Sequence, residues 1–450
     1  METFELPESL LLGSATAPTQ IEGGDTNCNW YHWSLAGRVG KGESSLTGAD
    51  HYRRYASDIE LMAGLNQQCY RMGIEWSRIE PRPCEWSAEG VAHYRDEFRL
   101  LAERGIPPLV TLHHFSCPQW FQEQGGWLSP GAVDTFLRFV SYAVGVFGDQ
   151  VAEWCTINEP NVFANDSYMD GKYPPGGQGE IGSYLRVAKN QILAHLAAYQ
   201  MIHRIRKERG FPGQTRVGFA HHLAVFEPAT RHPLAHLGCF LSNHLFHEIF
   251  FRGFVEGRLV FPLGHGHPAG RGRFCDFLGI NYYSRHLFQA TWNPGQLFAF
   301  PTVDPRLGPE ALNDLGWEIH PEGLFELARA AWERYRLPIY VTENGIPDAT
   351  DAKRADFISS HLWQLRRLLD AGVDVRRYYY WSFLDNLEWN DGYGPRFGLV
   401  EVDYATMERR VRPSARVYAE ICRTRRVVWP ADARQGGGGP ASQGSETCSD

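Results

Sequence analysis

The chain has 450 residues, 43% of them hydrophobic and 21% charged, with a formal net charge of −8. This is the balance of a globular protein long enough for one large domain or two to three ordinary ones. The acidic excess argues against a broad polycationic face for nucleic acid or anionic membrane, and no run reaches the ~18–20 apolar residues of a membrane span. The opening METFELPESLLLGSA lacks a basic n-region, so no secretory signal is expected. Nine scattered cysteines without C-x-x-C spacing point to reduced thiols in a cytoplasmic protein, not to a zinc knot or redox pair. Fourteen Trp and twenty Tyr are many; aromatic faces build cores, and they also stack on the apolar faces of sugars.

In chain order, strand-like runs fall at 10–16, 69–76, 108–115, 152–160, 216–222, 277–283, 339–345 and 377–383. Longer amphipathic segments lie between them. Segment 50–65 carries Tyr55, Ile59 and Met62 at helical spacing. Segment 93–105 ends on Gly105, and 184–210 on Gly210, a helix stop. Segments 321–335 and 355–372 precede the last two strands. Strand–helix alternation predicts a parallel sheet, and eight such units predict an α/β fold, a single (β/α)8 TIM barrel over residues 2–429. The stretch 434–450, RQGGGGPASQGSETCSD, is Gly/Ser-rich and is expected to be a disordered tail.

In such a barrel the chemistry sits at the C-terminal ends of the strands. In order, those ends carry Gln20 (just beyond the first run), Arg71, His114, Asn158 with Glu159, His221 with His222, Asn281 with Tyr283, Glu343, and Trp381. Glu343 ends the apolar run IYVTENG, where a carboxylate is costly unless it is paired or used. Glu159 closes the fourth run. Either glutamate alone could be a solvated or salt-bridged surface group. Two carboxylates facing each other across a cleft are what glycoside hydrolysis requires. The pairs His113-His114 and His221-His222 could suggest metal. Adjacent strand residues point to opposite faces, and no H-E-x-x-H accompanies them, so no metal or cofactor is expected. His113 and His222 read as structural.

The motifs TINEP and YVTENG resemble the two carboxylate signatures of glycoside hydrolase family 1, the retaining β-glucosidase family. FELPESLLLGSATAPTQIEGG, DHYRRYASDIELM, YRMGIEWSRIEP, TLHHFSCPQW, LGINYYS, GWEIHPEGL and WSFLDNLEWNDGYGPRFGLVEVDY agree with it in order, over residues 4–421. The resemblance implies Glu159 as general acid/base and Glu343 as nucleophile, with Arg71, Asn281 and Tyr283 in the catalytic set. Arg71 and Tyr283 match positions beside the nucleophile and are expected to keep the Glu343 pKa low; the Glu343 charge would hold Glu159 protonated. It further implies that Gln20, His114, Asn158, Glu388 and Trp389 hold the hydroxyls of the terminal sugar. Trp381 would lie under the ring, Phe397 would form a wall, and Trp317 would flank the leaving group. The expected partner is a small β-glycoside or short oligosaccharide, glucosyl above all and galactosyl or fucosyl as further options.

The chain departs from the family pattern at Phe115-Ser116, where Trp-Asp is common, and at Pro18-Thr19, where Ala-Tyr is common. These changes bear on sugar preference and on the leaving-group cleft, as does the long segment 291–314, expected to shape the entrance as a loop. A carboxylate at Glu388 would repel a 6-phosphate, which disfavours a 6-phospho-β-glycosidase. The remaining alternatives are a transglycosidase and a catalytically silent sugar-binding or scaffold relative, since fold alone does not give function.

Overall fold

The computed structural model describes residues 2–429. The expected barrel is there. Its strands are β1 (Leu11–Ala15), β2 (Cys69–Gly73), β3 (Pro108–Thr111), β4 (Glu153–Asn158), β5 (Arg216–Pro228), β6 (Leu278–Ala290), β7 (Ile339–Asn344) and β8 (Val375–Trp381). Each pairs in parallel with the next, and β8 closes onto β1 with Tyr378 opposite Leu12 and Trp381 opposite Ala15. The strands are covered on both faces, so runs such as β7 are buried at every position. Gly345, just past β7, has no room for a side chain: a Cβ there would lie 1.8 Å from the Trp381 carbonyl oxygen.

The outer ring comprises α1 (His51–Gly64), α2 (Ala88–Glu103), α3 (Ala132–Phe147), α4 (Ile181–Glu208), α5 (Ile249–Glu256), α6 (Glu322–Tyr335), α7 (Arg354–Asp370) and α8 (Pro413–Thr424). Helix α2 starts before the expected segment because Ser87 caps it, its hydroxyl accepting from the Gly90 N–H at 3.0 Å. Helix α3, outside the expected segments, shows the same periodicity, burying Phe136, Phe139, Val140, Ala143 and Phe147. No described helix is long and apolar enough to cross a membrane. The tail expected at 434–450 lies outside the described residues.

The expected strand runs overshoot at their C-terminal ends. Polar residues such as His114 and Glu159 lie past the last ladder positions, on the loops at the barrel mouth. Strands β5 and β6 err the other way. They pair on beyond the barrel, from Val225 opposite Arg285 to Pro228 opposite Phe288. A strand at Ala299–Thr302 then pairs antiparallel with Leu287–Ala290. The segment 291–314, expected to be a loop, therefore contributes part of a sheet to the rim.

Buried charge ties the ring together. His51 of α1 bonds Asp58 Oδ2 at 2.8 Å through Nδ1 and Glu97 Oε1 of α2 at 3.1 Å through Nε2. Arg409, on a hairpin strand (Glu408–Val411), grips both Asp58 oxygens at 2.8 Å. Burial would push the imidazole down, but the two carboxylates hold it up to about 10. The His51 contribution is therefore complete below its unfolded value of ~6.5 and fades as pH climbs through about 10. His51→Gln should cost about 3–5 kcal/mol at pH 7, because it leaves Glu97 buried without its cation while Asp58 keeps only Arg409; guanidinium unfolding followed by circular dichroism measures this.

Candidate active site

The site is assembled around one guanidinium. Arg71 projects from β2 and is 0% exposed. Its Nη1 donates to a Glu343 carboxylate oxygen and, at 3.2 Å, to the Thr342 carbonyl. Its Nη2 donates to Asn158 Oδ1 at 2.6 Å. Glu343, on β7, accepts a second bond on its other oxygen from the Tyr283 hydroxyl of β6 at 2.6 Å. Asn281 Nδ2 links the halves: it lies 3.0 Å from Asn158 Oδ1 and 2.9 Å from Glu159 Oε1. The Thr342 hydroxyl donates to Asn281 Oδ1 at 2.6 Å, which fixes the amide. Hydrogen bonds thus run unbroken from Glu343 through Arg71, Asn158 and Asn281 to Glu159.

The two carboxyls differ in company. Glu343 has a cation and a phenol. Glu159 has the Asn281 amide and His222, whose Nδ1 is 3.2 Å from Glu159 Oε1. Glu159 sits where β4 turns into a short helix (Pro160–Tyr168), at φ 40° and ψ 60°. A non-glycine residue pays strain for that left-handed conformation, which aims the carboxyl inward. Pro160 at the first helical position suits the turn.

Two expectations are corrected. Burial, with Glu343 only 3% exposed, pushes its carboxyl up to about 7; the pull of Arg71 and Tyr283 in the other direction does not offset the lost hydration, and the Glu159 charge adds to the rise. Glu343 is therefore not held at the low pKa expected of it. His222 is also more than structural: burial pushes its imidazole down, but the adjoining Glu159 carboxylate, aided by Glu343, holds it up. Its ring lies parallel to Tyr283, at 6.0 Å between centroids. The signal was the strand register. His222 stands opposite Asn281, and Asn281 opposite Glu343, in one cross-strand row. Its neighbour His221 points away, to His247 at 3.2 Å.

Beside the carboxyls lies an aromatic pocket with unspent polar atoms. The His114 ring is near-parallel to Trp381 and Trp389, each at 5.8 Å. Trp317, Tyr283 and Phe397 meet one another at 6.0–6.4 Å. Burial and the Arg71 charge keep His114 neutral, so its Nε2 accepts from Asn158 Nδ2 at 3.0 Å. His114 Nδ1 has no partner. Gln20 Nε2 donates to the Leu387 carbonyl at 2.7 Å and to Asn386 Oδ1 at 3.0 Å, leaving Gln20 Oε1 unpaired. Glu388 Oε2 is likewise buried without a partner. Burial, reinforced by the charges of Asp391, Glu343 and Glu159, pushes Glu388 well up. Buried unpaired groups are costly, and a ligand rich in hydroxyls would satisfy all three. The residues assigned to the site from the sequence lie in this network or among these aromatic and unpaired polar groups; His221, also placed at a strand end, points away.

The family model for glycosyl hydrolase family 1 matches residues 2–260 and 272–427. Beta-glucosidase A of Thermotoga maritima is 32% identical over 450 aligned residues, covering 94% of this chain and 98% of its own. A beta-galactosidase of Saccharolobus solfataricus is 30% identical, covering 93% and 95%. Among solved structures, a beta-glycosidase from Pyrococcus horikoshii superposes with a TM-score of 0.86 at 34% identity, covering 95% of this chain and 97% of that one. The T. maritima beta-glucosidase in complex with azafagomine superposes with a TM-score of 0.85 at 29% identity, covering 94% and 99%. The chain belongs to glycosyl hydrolase family 1.

Proposed function

We propose that this glycoside hydrolase is a retaining exo-β-glycosidase that releases terminal β-glucosyl units, and β-galactosyl or β-fucosyl units as well, by double displacement. Glu343 attacks the anomeric carbon while Glu159 protonates the departing oxygen. Water, deprotonated by Glu159, then opens the glycosyl ester on Glu343. The observation that carries this reading is the single hydrogen-bond chain joining two differently furnished carboxyls. Arg71 and Tyr283 mark Glu343 as the group that must work as an anion. Among the described residues no arginine or lysine bonds Glu159, only the Asn281 amide and the His222 ring, and it is the group assigned the transferable proton. The productive form of the pair holds one proton. The reading expects the retaining separation of ~5–5.5 Å between the carboxyls.

Relatives support the sugar class: the curated ones include a beta-glucosidase and a beta-galactosidase, and the T. maritima enzyme is solved with azafagomine. In the pocket, Gln20 Oε1, His114 Nδ1 and Glu388 Oε2 would hold glycone hydroxyls, Asn158 the 2-hydroxyl, and Trp381 and Trp389 the ring. A 6-phosphate beside Glu388 would face the same neighbouring charges of Asp391, Glu343 and Glu159 that already disfavour an anion at Glu388, so unphosphorylated sugars are preferred.

Proton NMR of the first product should show the β-anomer. Glu343→Gly should abolish hydrolysis, with azide restoring turnover of an activated aryl glucoside to an α-azide. Glu159→Ala should lose ~10²–10⁴-fold on alkyl leaving groups, far less on activated aryl ones, and should give a β-azide; the opposite stereochemistry would reverse the two roles.

Tyr283→Phe removes a donor to the Glu343 anion and so raises its pKa. The acidic limb of kcat/KM should move to higher pH, by about one unit if the bond is worth ~1.5 kcal/mol. A limb that stays put would show that the phenol does not stabilise the anion.

Glu388→Ser should lower kcat/KM on 4-nitrophenyl β-glucoside by about 1.5–3 kcal/mol, roughly 10- to 100-fold, and wild type should outpace its own rate on the 6-phosphate. Faster turnover of the 6-phosphate would contradict the pocket assignment.

A further inference from the structure

The two departures from the family pattern converge on a third residue. Glu75, just past the end of β2, is 2% exposed. Its Oε2 accepts from the Thr19 hydroxyl at 2.6 Å, and its Oε1 from the Ser116 hydroxyl at 2.9 Å and the Ser77 hydroxyl at 3.0 Å. Thr19 belongs to the short turn Pro18–Ile21 that presents Gln20. Ser116 follows His114 in a tight turn: its N–H donates to the His114 carbonyl at 2.8 Å, across a Phe115 held at φ 66°. One buried carboxyl therefore straps together the two segments that aim Gln20 and His114. Through them it reaches Leu387, bonded by Gln20, and Asn158, bonded by His114.

Glu75 is itself fixed. Its backbone N–H donates to the Tyr94 hydroxyl at 2.9 Å, which in turn donates to Glu22 Oε1 at 2.7 Å. No cation bonds Glu75 among the described residues; nearby Arg78 is bound to Glu22 at 2.6 Å. Asp25 shares the Ser77 hydroxyl, at 2.5 Å. Burial, with the Asp25 charge second, pushes the Glu75 carboxyl up to about 7. Hydroxyl partners can donate to a carboxylate or accept from a carboxylic acid, so these bonds survive in either form.

We infer that Glu75 is a positioning residue for the glycone pocket: by tying Thr19 to Ser116 it holds Gln20 and His114 in register, and so sets affinity for the sugar without touching it. This rests on the pocket reading proposed above. A strap of this kind acts on binding, so it separates KM from kcat.

The test uses the full chain, 4-nitrophenyl β-glucoside as substrate, and D-glucose titrated by tryptophan fluorescence, which reads binding without turnover. Glu75→Ala should raise KM and weaken glucose binding about tenfold, with kcat changing less than about threefold. Glu75→Gln, neutral and equally able to bond the hydroxyls, should recover most of that loss. Thr19→Val and Ser116→Ala each cut one end of the strap and should reproduce the defect; they carry the test if Glu75→Ala does not fold. Ser77→Ala removes the third hydroxyl, which lies on neither site segment, and should leave KM unchanged. Unaltered glucose binding in Thr19→Val and Ser116→Ala, or an equal loss in Ser77→Ala, overturns the strap. A wild type that binds glucose but hydrolyses no β-glycoside overturns the proposed reaction instead, and the same binding series still judges the strap.

Discussion

A guanidinium with no contact to solvent is the constraint around which this barrel is built. Arg71 cannot shed its proton, and an isolated charge in the interior would cost several kcal/mol. It must therefore be met by an anion and by carbonyl oxygens, and Glu343, Thr342 and Asn158 meet it from two other strands. The same requirement runs in reverse. Glu343 is buried, and without Arg71 and Tyr283 nothing would counter the loss of its water. Each charge is tolerable because the other is there, and the barrel brings them together by closing β2 and β7 around a shared interior. The balance is tight: burial outweighs the pull of Arg71 and Tyr283 and holds the Glu343 carboxyl up at about 7.

What could be read from the sequence follows from how local each signal is. Glu159 and Glu343 stand out because a carboxylate at the end of an apolar strand conflicts with its surroundings, and that conflict is visible within a few residues. The barrel is legible for the same reason, since strand–helix alternation is a short-range pattern repeated eight times. Glu75 carries a similar conflict inside the expected run 69–76, but nothing local says what answers it: its partners Thr19 and Ser116 lie 56 and 41 positions away. His222 reads as structural from alternation along its own strand, which carries no information on the register between strands; aligned with Asn281, it falls beside Glu159. The Glu343 pKa was misjudged because partners can be read from motifs, whereas the depth of burial depends on the whole fold.

The polar atoms left over in the pocket complete this picture. Gln20 and His114 each spend one side-chain group on the protein and keep the other buried and unpaired. A side chain so used is held by one bond and aimed by it, which is how a binding site differs from a merely polar core.

The two ends of the described chain meet. Glu2–Glu5 pairs antiparallel with Arg426–Trp429, and Arg425 reaches Gln68 Oε1 at 2.7 Å, immediately before β2 begins. This seam lies where strands enter the barrel, on the face opposite Glu159 and Glu343. The barrel is thus close to a topological ring, and a circular permutant that joined residues 2 and 429 through a short linker and reopened the chain in an outer loop could keep every barrel pairing. For the same reason, anchoring the enzyme to a support through either end of this seam would point the mouth of the barrel toward the solution.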